Sequence, residues 1–568
     1  MLRFARGLAV TVLLALTALA ACHRVPHAVS GPPGSAEALR LGEASRSPTV
    51  SQPEPAVLAK GATIHGANGI RFDSQGRLHI ASVLGNEIVV MDPETGGVIS
   101  TIGANQRVVG PDDIAFGPDG SLYWTSFSTG EVGRISSDGT RTGQVLRPGV
   151  NGIAFSKDGR LFVTLIFMGD ALYELDPEFI APPRLIAEKL GFVNGVDWGP
   201  DGFLYGPVWT RGEIVRIDVN TGEITPVAIG FRIPSAVKFD SRGSLYAVEQ
   251  VTGQVVRVDT KTGEKSVVAQ LLPGLDNLAF DSDDRLFVSH GQDGCVLEVL
   301  ADGAARTVCT GGMIAPGGIA VVPRPGGESV VVADFWTLRE FDGAGQEQSC
   351  RRHCVGLRGG ITSPFTVSAD GKNLILTSWL PKDVVQVFDP ESGAVLEEYL
   401  GFDEPLNAIR FRGDIVVAER GSSSVVRITG PRPEDRVTLA KGLALPIGLA
   451  ATERDLWVSD WVTGMVLQLA AEGKVLAQPV PVATGLEYPE GLAIDGDGNL
   501  LVVEAEAGRL SRIDPATHEV TTVAEGFAPC LQGDHPTWVF NGVAVGPSGT
   551  IYMTSDAANV IYRIEPGR

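Results

Sequence analysis

A unit of about 42 residues recurs twelve times along this 568-residue chain, and this repeat limits the possible folds more than any other sequence feature. In each copy an apolar run leads into a turn of the Asp-Gly type and a second apolar run, as in residues 151–161, NGIAFSKDGRL. Two further runs follow, the first often ending in a triplet such as Arg512-Ile513-Asp514. Short apolar runs separated by such turns predict antiparallel strands joined by hairpins. Each copy therefore predicts one four-stranded sheet.

Repeats of this length and strand content are typical of β-propeller blades, which bury their faces only by packing radially against neighbouring blades. Because single propellers usually have about four to eight blades, twelve copies predict an all-β protein of two six-bladed propellers in tandem. A lone strand-like run at 56–59 precedes the first copy, and the last copy lacks a fourth run. If the strand-like run that precedes each ring completes the last blade of that ring, the first propeller spans 55–302 and the second spans 303–568.

Two alternatives to this boundary stay open. Cys295 and Cys309 would pair readily across a hairpin within one blade, and such a pair moves the boundary to about residue 314. A single large ring of all twelve blades is a third arrangement. Apart from Cys22 the chain has five cysteines, an odd number, so at least one thiol is free or intermolecular.

The N-terminal residues 1–22 resemble a bacterial lipoprotein signal peptide. Two arginines precede an apolar stretch at 8–18 that is too short to span a bilayer, and residues 19–22, LAAC, resemble a lipobox. The thiol of Cys22 would then carry the lipid, and plain secretion is the alternative. Residues 23–54 are rich in Pro and Ser and predict a disordered tether. We expect a cell-envelope protein held to the membrane by this lipid, in the outer membrane or periplasm if the cell is Gram-negative.

The net charge of −21 and the isoelectric point of about 4.9 argue against a nucleic-acid partner, because an acidic surface repels phosphate backbones. The sequence also contains no nucleophile elbow, no His-Glu-x-x-His pair and no P-loop. In a propeller the first strand of each blade begins near the axis, so we expect any site to lie there.

The residue just before the first strand of each blade should lie near an axis, so the twelve form two rings of six. Converging carboxylate and amide oxygens suit a divalent cation; Ca²⁺ fits best, with Zn²⁺, Mn²⁺ and Mg²⁺ left open. The alternative is that Asn favours the turn that enters the strand. The candidate metal ligands are Asp112, Asn151, Asn194 and Asp276 in the first ring and Asn407, Glu490 and Asn541 in the second.

A second set of candidates lies at or shortly after the end of the second strand of each blade, mostly in the second half of the chain. Acidic groups beside flat aromatic faces suit a sugar or an organic cation, unless the Trp side chains only cap the gaps between blades. The candidate ligand-binding residues are Glu249, His290, Asp334, Trp336, Trp379, Glu419, Asp460, Trp461, Glu504 and Asp556, with Trp538 in the insertion before the last blade.

The repeat in residues 151–161 resembles the SMP-30/gluconolactonase/LRE-like propeller superfamily and is also similar to NHL-repeat and streptogramin-lyase-like propellers. In SMP-30-like lactonases one Glu, two Asn and one Asp hold an axial metal. Asn151 and Asn194 match the two Asn, whereas Asn68 and Ser235 stand where the Glu and the Asp are expected. A lyase-like elimination would instead need a His and Glu group near the first axis.

Three functions follow from these observations. The first is a propeller that binds a small ligand or a protein partner at the cell envelope, with or without a divalent cation. The second is a metal-dependent lactonase or esterase, which the superfamily resemblance implies. The third is a lyase that uses His290 and Glu249, which lie in neighbouring blades.

Overall fold

The computed structural model describes residues 55–324, 327–353, 360–380, 382–528 and 540–565. Within them, 48 strands form twelve four-stranded antiparallel sheets, and one short 3-10 turn spans Ala104–Gln106. This confirms the predicted all-β fold of tandem propellers. Among the described residues, no helix is long and apolar enough to cross a membrane. The predicted signal peptide, Cys22 and tether lie outside the described residues.

The chain divides into two compact units, the first of which spans Ala62–Ile314. Its six sheets, blades 1 to 6, each use four consecutive strands, and the innermost strand of each blade packs against that of the next. The strands of blades 1 to 3 are β2 Ala67–Phe72, β3 Leu78–Ser82, β4 Glu87–Met91, β5 Val98–Ile102, β6 Pro111–Phe116, β7 Leu122–Ser126, β8 Glu131–Ile135, β9 Arg141–Val145, β10 Val150–Phe155, β11 Leu161–Leu165, β12 Ala171–Leu175 and β13 Arg184–Glu188. Those of blades 4 to 6 are β14 Asp197–Trp198, β15 Leu204–Val208, β16 Glu213–Ile217, β17 Ile224–Ile229, β18 Pro234–Phe239, β19 Leu245–Glu249, β20 Gln254–Val258, β21 Lys265–Gln270, β22 Leu275–Phe280, β23 Leu286–His290, β24 Cys295–Val299 and β25 Ala305–Cys309.

The second unit contains residues from Ala315 onward together with the segment that ends at Gly61, and it holds blades 7 to 12. The strands of blades 7 to 9 are β26 Pro316–Arg324, β27 Gly327–Asp334, β28 Thr337–Asp342, β29 Glu347–Arg352, β30 Thr366–Asp370, β31 Asn373–Ser378, β32 Val384–Asp389, β33 Ala394–Leu400, β34 Pro405–Phe411, β35 Asp414–Glu419, β36 Ser424–Ile428 and β37 Arg436–Lys441. Those of blades 10 to 12 are β38 Pro446–Ala451, β39 Leu456–Asp460, β40 Met465–Ala471, β41 Lys474–Ala483, β42 Pro489–Ile494, β43 Leu500–Glu504, β44 Arg509–Ile513, β45 Val520–Glu525, β46 Val543–Val545, β47 Ile551–Ser555, β48 Val560–Ile564 and β1 Ala56–Lys60.

The expected boundary near residue 302 is wrong. Strand β1 pairs antiparallel with β48, with Ala56 opposite Arg563 and Lys60 opposite Val560, so it completes the last blade of the second propeller. Strand β25 pairs with β24 through a tight turn at Gly303, whose φ of 83° suits glycine, and thus stays in blade 6. The first propeller closes without a borrowed strand, and the boundary falls after Ile314.

Each ring closes through contacts between its last and first blades. In the first propeller Ile70 and Met91 of blade 1 share a buried cluster with Phe287 and Val296 of blade 6. In the second, the first strands of blades 7 and 12 are neighbours, and the Tyr552 hydroxyl donates to Glu328 over 2.6 Å.

The cysteines that suggested the later boundary lie on the adjacent strands β24 and β25 and are both buried. Cys309 is a thiol and forms no disulfide with Cys295. Burial raises the pKa of the Cys309 thiol to about 11, so it stays protonated at neutral pH.

Candidate functional site

Hydroxyl groups at the fourth residue of the second strand position the axial residues. In blade 2 the Thr125 hydroxyl accepts the N–H of Asp113 and donates to the carbonyl oxygen of Asn151 in blade 3, over 3.0 and 2.5 Å. Ser459 holds Gly448 and Glu490 in the same way in the second propeller. These bonds join neighbouring blades at the axis and fix the backbone from which the ring side chains project.

The first ring contains polar side chains to which no other described residue is hydrogen-bonded. Asp112, Asn151 and Asn194 are only 7%, 5% and 7% exposed. Within the described residues, neither these three side chains nor those of Asn68 and Asp276 make a hydrogen bond. Because buried polar groups are nearly always bonded, these three buried side chains, together with the half-buried Asn68 and Asp276 around the same axis, indicate a site that binds a ligand or ordered water.

Electrostatic repulsion connects the two carboxylates of this ring, which belong to blades 2 and 6 on either side of blade 1. Burial, the charge of Asp276 and the charge of Asp113 raise the pKa of Asp112 well above its usual value. Burial and the charge of Asp113 raise the pKa of Asp276 to about 7. A cation between these groups would relieve both effects.

Asp113, the neighbour of Asp112, has a structural role. Its Oδ1 accepts the Asn277 side-chain amide over 3.1 Å, and its Oδ2 accepts the N–H of Ile153 over 3.2 Å. Gly69 permits this crossing, because a Cβ at that position would lie 2.5 Å from the Asp113 Cα. Asp113 therefore ties blades 2, 3 and 6 together below the ring.

The donor set of the first ring consists of two carboxylates and three amides, which suits a hard cation such as Ca²⁺ better than a transition metal. Across the described residues, no three His, Cys, Asp or Glu side chains are grouped so that they could share a metal ion. A cation here would thus depend on amide oxygens as well as on Asp112 and Asp276.

Of the predicted metal ligands in the second ring, only Glu490 and Asn541 lie together, and they are hydrogen-bonded to each other. Oε2 of Glu490 accepts both the backbone N–H and the side-chain amide of Asn541, over 2.6 and 2.9 Å. Its Oε1 accepts the Trp461 indole N–H over 3.3 Å. Burial and the charge of Asp556 raise the pKa of Glu490 to about 8, although the hydrogen bonds from Asn541 and Trp461 act to lower it. Asn407 takes no part and instead accepts the hydroxyl of Ser368.

Apolar side chains fill the space around the second ring. Ile447, a ring member, packs in one buried cluster with Phe365, Trp379, Leu406 and Phe540. A desolvated, internally bonded Glu490 beside such a cluster is poorly arranged to receive a hydrated divalent cation. Of the two rings, the first is therefore the better candidate for a cation.

Most of the acidic residues predicted to bind a ligand instead hold the loop that precedes the first strand of their own blade. Each accepts a backbone N–H from that loop, a charge-assisted bond that satisfies an otherwise orphaned donor. The pairs are Glu249 with Ile233 at 2.6 Å, Asp334 with Ala315 at 2.8 Å, Glu419 with Asp403 at 3.1 Å, Asp460 with Ala444 at 2.8 Å and Glu504 with Glu487 at 3.0 Å.

Two of these acids are also paired with arginines. Asp334 bonds Arg339 over 2.9 Å with both side chains buried, and Glu504 bonds Arg509 over 2.7 Å. Asp556 accepts the N–H of Ala557 over 2.7 Å. These engaged carboxylates stabilise loops, and no sequence pattern distinguishes this role from ligand binding.

The side chains of His290 and Glu249, the pair expected of a lyase, also accept hydrogen bonds from backbone N–H groups. Both oxygens of Glu249 accept backbone N–H groups, from Ile233 and Thr252. His290 is buried, and its Nδ1 accepts the N–H of Asp293 over 3.2 Å. These contacts make both side chains structural parts of their blades.

The predicted tryptophans differ in their surroundings. Trp379 is buried, and the guanidinium of Arg420 lies 5.2 Å from the centre of its ring. Trp461 stacks on Tyr488 with ring centroids 4.0 Å apart. Trp336 packs edge-on against the ring of Phe335 at 4.8 Å. Trp538 lies outside the described residues.

The first propeller contains an aromatic cluster that was not predicted from the sequence. Phe167 contacts Phe127, Phe192 and Trp209, with ring centroids 5.1 to 6.1 Å apart. Phe127, Phe167 and Trp209 each follow the second strand of blades 2, 3 and 4, at the end where the ring residues lie. This aromatic position recurs in three successive copies and is the signal that would have revealed the cluster.

The channel of the first propeller also contains a buried lysine that sequence reasoning did not single out. Lys238 is fully buried, and its Nζ donates to the carbonyl oxygen of Val196 over 2.9 Å. Burial and the charge of Arg71 lower its pKa to about 8. Its position on the first strand of blade 5, where the other blades mostly carry alanine, is visible only after the copies are aligned.

No protein-family profile matches the chain, and no curated protein matches it. Among solved structures it is similar to a streptogramin B lyase, at 19% identity over 50% of this chain and 96% of that one, with a TM-score of 0.37. It is similar to a gluconolactonase from Xanthomonas campestris at 18% identity over 45% and 96%, with a TM-score of 0.35. It is also similar to PorZ, a surface component of the type-IX secretion system of Porphyromonas gingivalis, at 12% identity over 89% and 86%, with a TM-score of 0.37. These similarities concern the fold alone.

Proposed function

We propose that this protein is a binding propeller of the cell envelope whose first ring holds a divalent cation, most suitably Ca²⁺, as part of a small-ligand site. The supporting observation is that Asp112 and Asp276 face the same axis with raised pKa values and no hydrogen-bond donor among the described residues. Asn68, Asn151 and Asn194 would supply amide oxygens. A bound divalent cation would offset the repulsion between the carboxylates and present an open coordination position to a ligand oxygen.

Calorimetry of the full chain with and without Ca²⁺ tests this proposal. Binding to the folded state should stabilise the first propeller by about 2.7 kcal/mol at a free metal concentration about a hundredfold above the dissociation constant. Asp112→Asn and Asp276→Asn should abolish the shift. Asp283→Asn is the matched control, because Asp283 is exposed in a hairpin turn of the same blade as Asp276. If Ca²⁺, Mg²⁺, Mn²⁺ and Zn²⁺ all leave the melting curve unchanged, the cation site does not exist.

A metal-dependent lactonase or esterase is the second candidate, and one observation favours it. The first ring places two carboxylates, Asp112 and Asp276, at one axis, so one could hold the cation while the other accepts a proton from a water molecule. A panel of lactones and esters assayed with and without EDTA tests the idea. Turnover that EDTA removes, and that Asp276→Asn also removes, would identify a hydrolase; binding without turnover would leave the protein as a binding module.

The envelope location rests on the N-terminal sequence. We infer that Cys22 carries a lipid and that residues 23–54 separate the propellers from the membrane. Cys22→Ser should move the protein from the detergent-soluble membrane fraction to the soluble fraction of the cell. A Cys22→Ser protein that still needs detergent for extraction would contradict the lipid anchor.

A further inference from the structure

An apolar surface lines one side of the mouth of the first channel, at the end where the ring residues lie. It is formed by Phe127, Phe167, Phe192 and Trp209, which we call the aromatic wall, and the centroids of its contacting rings lie 5.1 to 6.1 Å apart. All four side chains remain partly exposed, although a phenyl or indole group gains free energy when its contact with water is removed. The wall is therefore open to a ligand that carries an apolar surface of its own.

A hydrogen bond that recurs in all six blades places the wall beside the ring. The N–H of a residue just after the second strand donates to the carbonyl oxygen of the residue two positions before the ring residue. Phe127 donates to Gly110 over 3.1 Å in blade 2, and Trp209 donates to Phe192 over 3.2 Å in blade 4. Because two residues of extended chain span at most about 7 Å, these aromatic residues lie close to the ring residues of their own blades.

Phe192 occupies a position at which most blades of the first propeller carry glycine. In blades 1, 2, 3 and 6 the residue two positions before the ring residue has a positive φ, and Phe192 adopts a φ of 64° at the same place in blade 4. The four glycines are Gly66, Gly110, Gly149 and Gly274, with φ from 48° to 111°. Phe167 also has a left-handed backbone, with a φ of 60°. This conformation costs free energy in a residue with a Cβ, so two of the four wall residues are held at the mouth by strained backbone.

The opposite side of the mouth is open. Blade 6 lies across the axis from blade 3 in a ring of six, and Gly291 occupies in blade 6 the position that Phe127 and Trp209 have in theirs. A Cβ at Gly291 would lie 3.3 Å from Oδ2 of Asp276. The glycine therefore leaves the half-buried carboxylate of Asp276 uncovered.

The floor between the wall and the open side is polar. The side chains of Asp112, Asn151 and Asn194 are buried there without a hydrogen bond to any described residue. A ligand that contacts both the floor and the wall needs oxygen atoms at one end and an apolar body at the other. A sugar has hydroxyl groups around its whole edge, whereas three of the four wall residues are phenylalanines without a polar side-chain atom. An aryl group therefore matches the wall better than a sugar does.

We propose that the first-ring site binds a small aromatic carboxylate, with its ring against the aromatic wall and its carboxylate on the cation of the first ring. This inference rests on the proposed function, because without a cation Asp112 and Asp276 would repel a negatively charged ligand. The cation offsets the two carboxylates and offers a coordination position to the ligand oxygens. Binding of the cation and binding of the aromatic carboxylate should therefore strengthen each other.

Isothermal titration of the full chain with benzoate and acetate, in Ca²⁺ and in EDTA, tests this inference. In Ca²⁺ benzoate should bind roughly tenfold or more tightly than acetate, because only benzoate has a ring to place against the wall. Benzoate should bind roughly tenfold or more weakly in EDTA. If Ca²⁺ binds but benzoate binds no better than acetate, the inference is wrong and the cation site stands. If no divalent cation binds, the proposed function fails and this inference fails with it. Equal benzoate affinity in Ca²⁺ and EDTA would also overturn the inference.

Phe192→Gly locates the aryl group on the wall with little risk to the fold, since glycine adopts the φ of Phe192 freely and four other blades carry it there. We expect this variant to lose roughly tenfold or more in benzoate affinity and to keep the wild-type affinities for Ca²⁺ and acetate. Phe179→Gly is the matched control. Phe179 has a φ of 58° and contacts Tyr123, but it lies between the third and fourth strands of blade 3, at the end of the propeller away from the ring. Wild-type benzoate affinity in Phe192→Gly, or an equal loss in Phe179→Gly, would show that the aromatic wall does not hold the ligand.

Discussion

The Ser289 hydroxyl donates a hydrogen bond of 2.6 Å to the backbone carbonyl oxygen of Asn68, and it thereby joins the last blade of the first propeller to the first. The same hydroxyl accepts the N–H of Asn277 over 2.9 Å. In the second propeller Thr554 makes the equivalent bond to Gly317, also at 2.6 Å. One side chain at a repeated position therefore contributes to closing each ring at its axis.

Removal of this hydroxyl should weaken the first propeller. Ser289→Ala leaves the buried N–H of Asn277 and the carbonyl oxygen of Asn68 without their partner, and we expect the free energy of unfolding to fall by about 1 to 3 kcal/mol. Urea unfolding measures the loss. Ser266→Ala, on an exposed position of β21, is the control and should change stability by less than about 0.5 kcal/mol. Equal stability of the two variants would contradict a role for Ser289 in closure.

Strand β1, which completes the last blade, should contribute to the stability of the second propeller alone. A chain that begins at residue 62 loses four residue pairs with β48, which becomes an exposed edge. We expect the second propeller to lose roughly 2 to 4 kcal/mol, because each missing pair removes backbone hydrogen bonds. Hydrogen exchange should accelerate in residues 551–564 and stay unchanged in 67–309. A chain that begins at residue 55 keeps β1 and is the control.

The fold could be predicted because the repeat encodes it locally. Turns such as Asp119-Gly120 occur between short apolar runs in nearly every copy, and each hairpin forms from adjacent residues. The closure of the rings could not be predicted, because β1 and β48 are separated by almost the whole chain and the sequence of β1 does not specify its partner. The cysteine pair suggested the right boundary, although Cys309 forms no disulfide.

The candidate sites were harder to predict, for a different reason. Spacing along the chain correctly placed acidic residues at strand ends, but it does not reveal which hydrogen-bond donors meet them. Asp460 and Asp112 are both acids near a propeller axis, yet Asp460 accepts two loop N–H groups and Asp112 accepts none from the described residues. Only the three-dimensional arrangement separates a carboxylate that holds a loop from one that is open to a ligand.

The internal pairing of Glu490 leads to a prediction about the second ring. Asn541→Ala removes one donor to Glu490 and the acceptor of the Asp556 N–H, both of them buried. We expect the second propeller to lose about 1 to 3 kcal/mol, as for other buried polar groups left without a partner. Gln478→Ala, at an exposed position on β41 of blade 10, is the control. An Asn541→Ala protein as stable as the wild type would show that Glu490 does not depend on this amide.

The first ring should make the stability of the protein depend on pH in a defined direction. The pKa of Asp276 is about 7 in the folded protein and near 3.8 when the chain is unfolded. Between these values the folded state binds more protons than the unfolded state, so the free energy of unfolding falls as pH rises from about 4 to 7. Burial and the charges of Asp276 and Asp113 act on Asp112 in the same direction.

Asp276→Asn should therefore remove part of this decline. Relative to the wild type, the variant should gain roughly 1 to 3 kcal/mol in its free energy of unfolding between pH 4 and pH 7. This range already includes a reduction for solvent in the channel. Urea unfolding at several pH values measures it, and Asp283→Asn should keep the wild-type slope. Saturating Ca²⁺ should flatten the wild-type decline as well, because the cation binds the ionised carboxylates. If Asp276→Asn has the same slope as the wild type, the carboxylate is not held at a raised pKa, and the electrostatic argument for a cation in the first ring loses its basis.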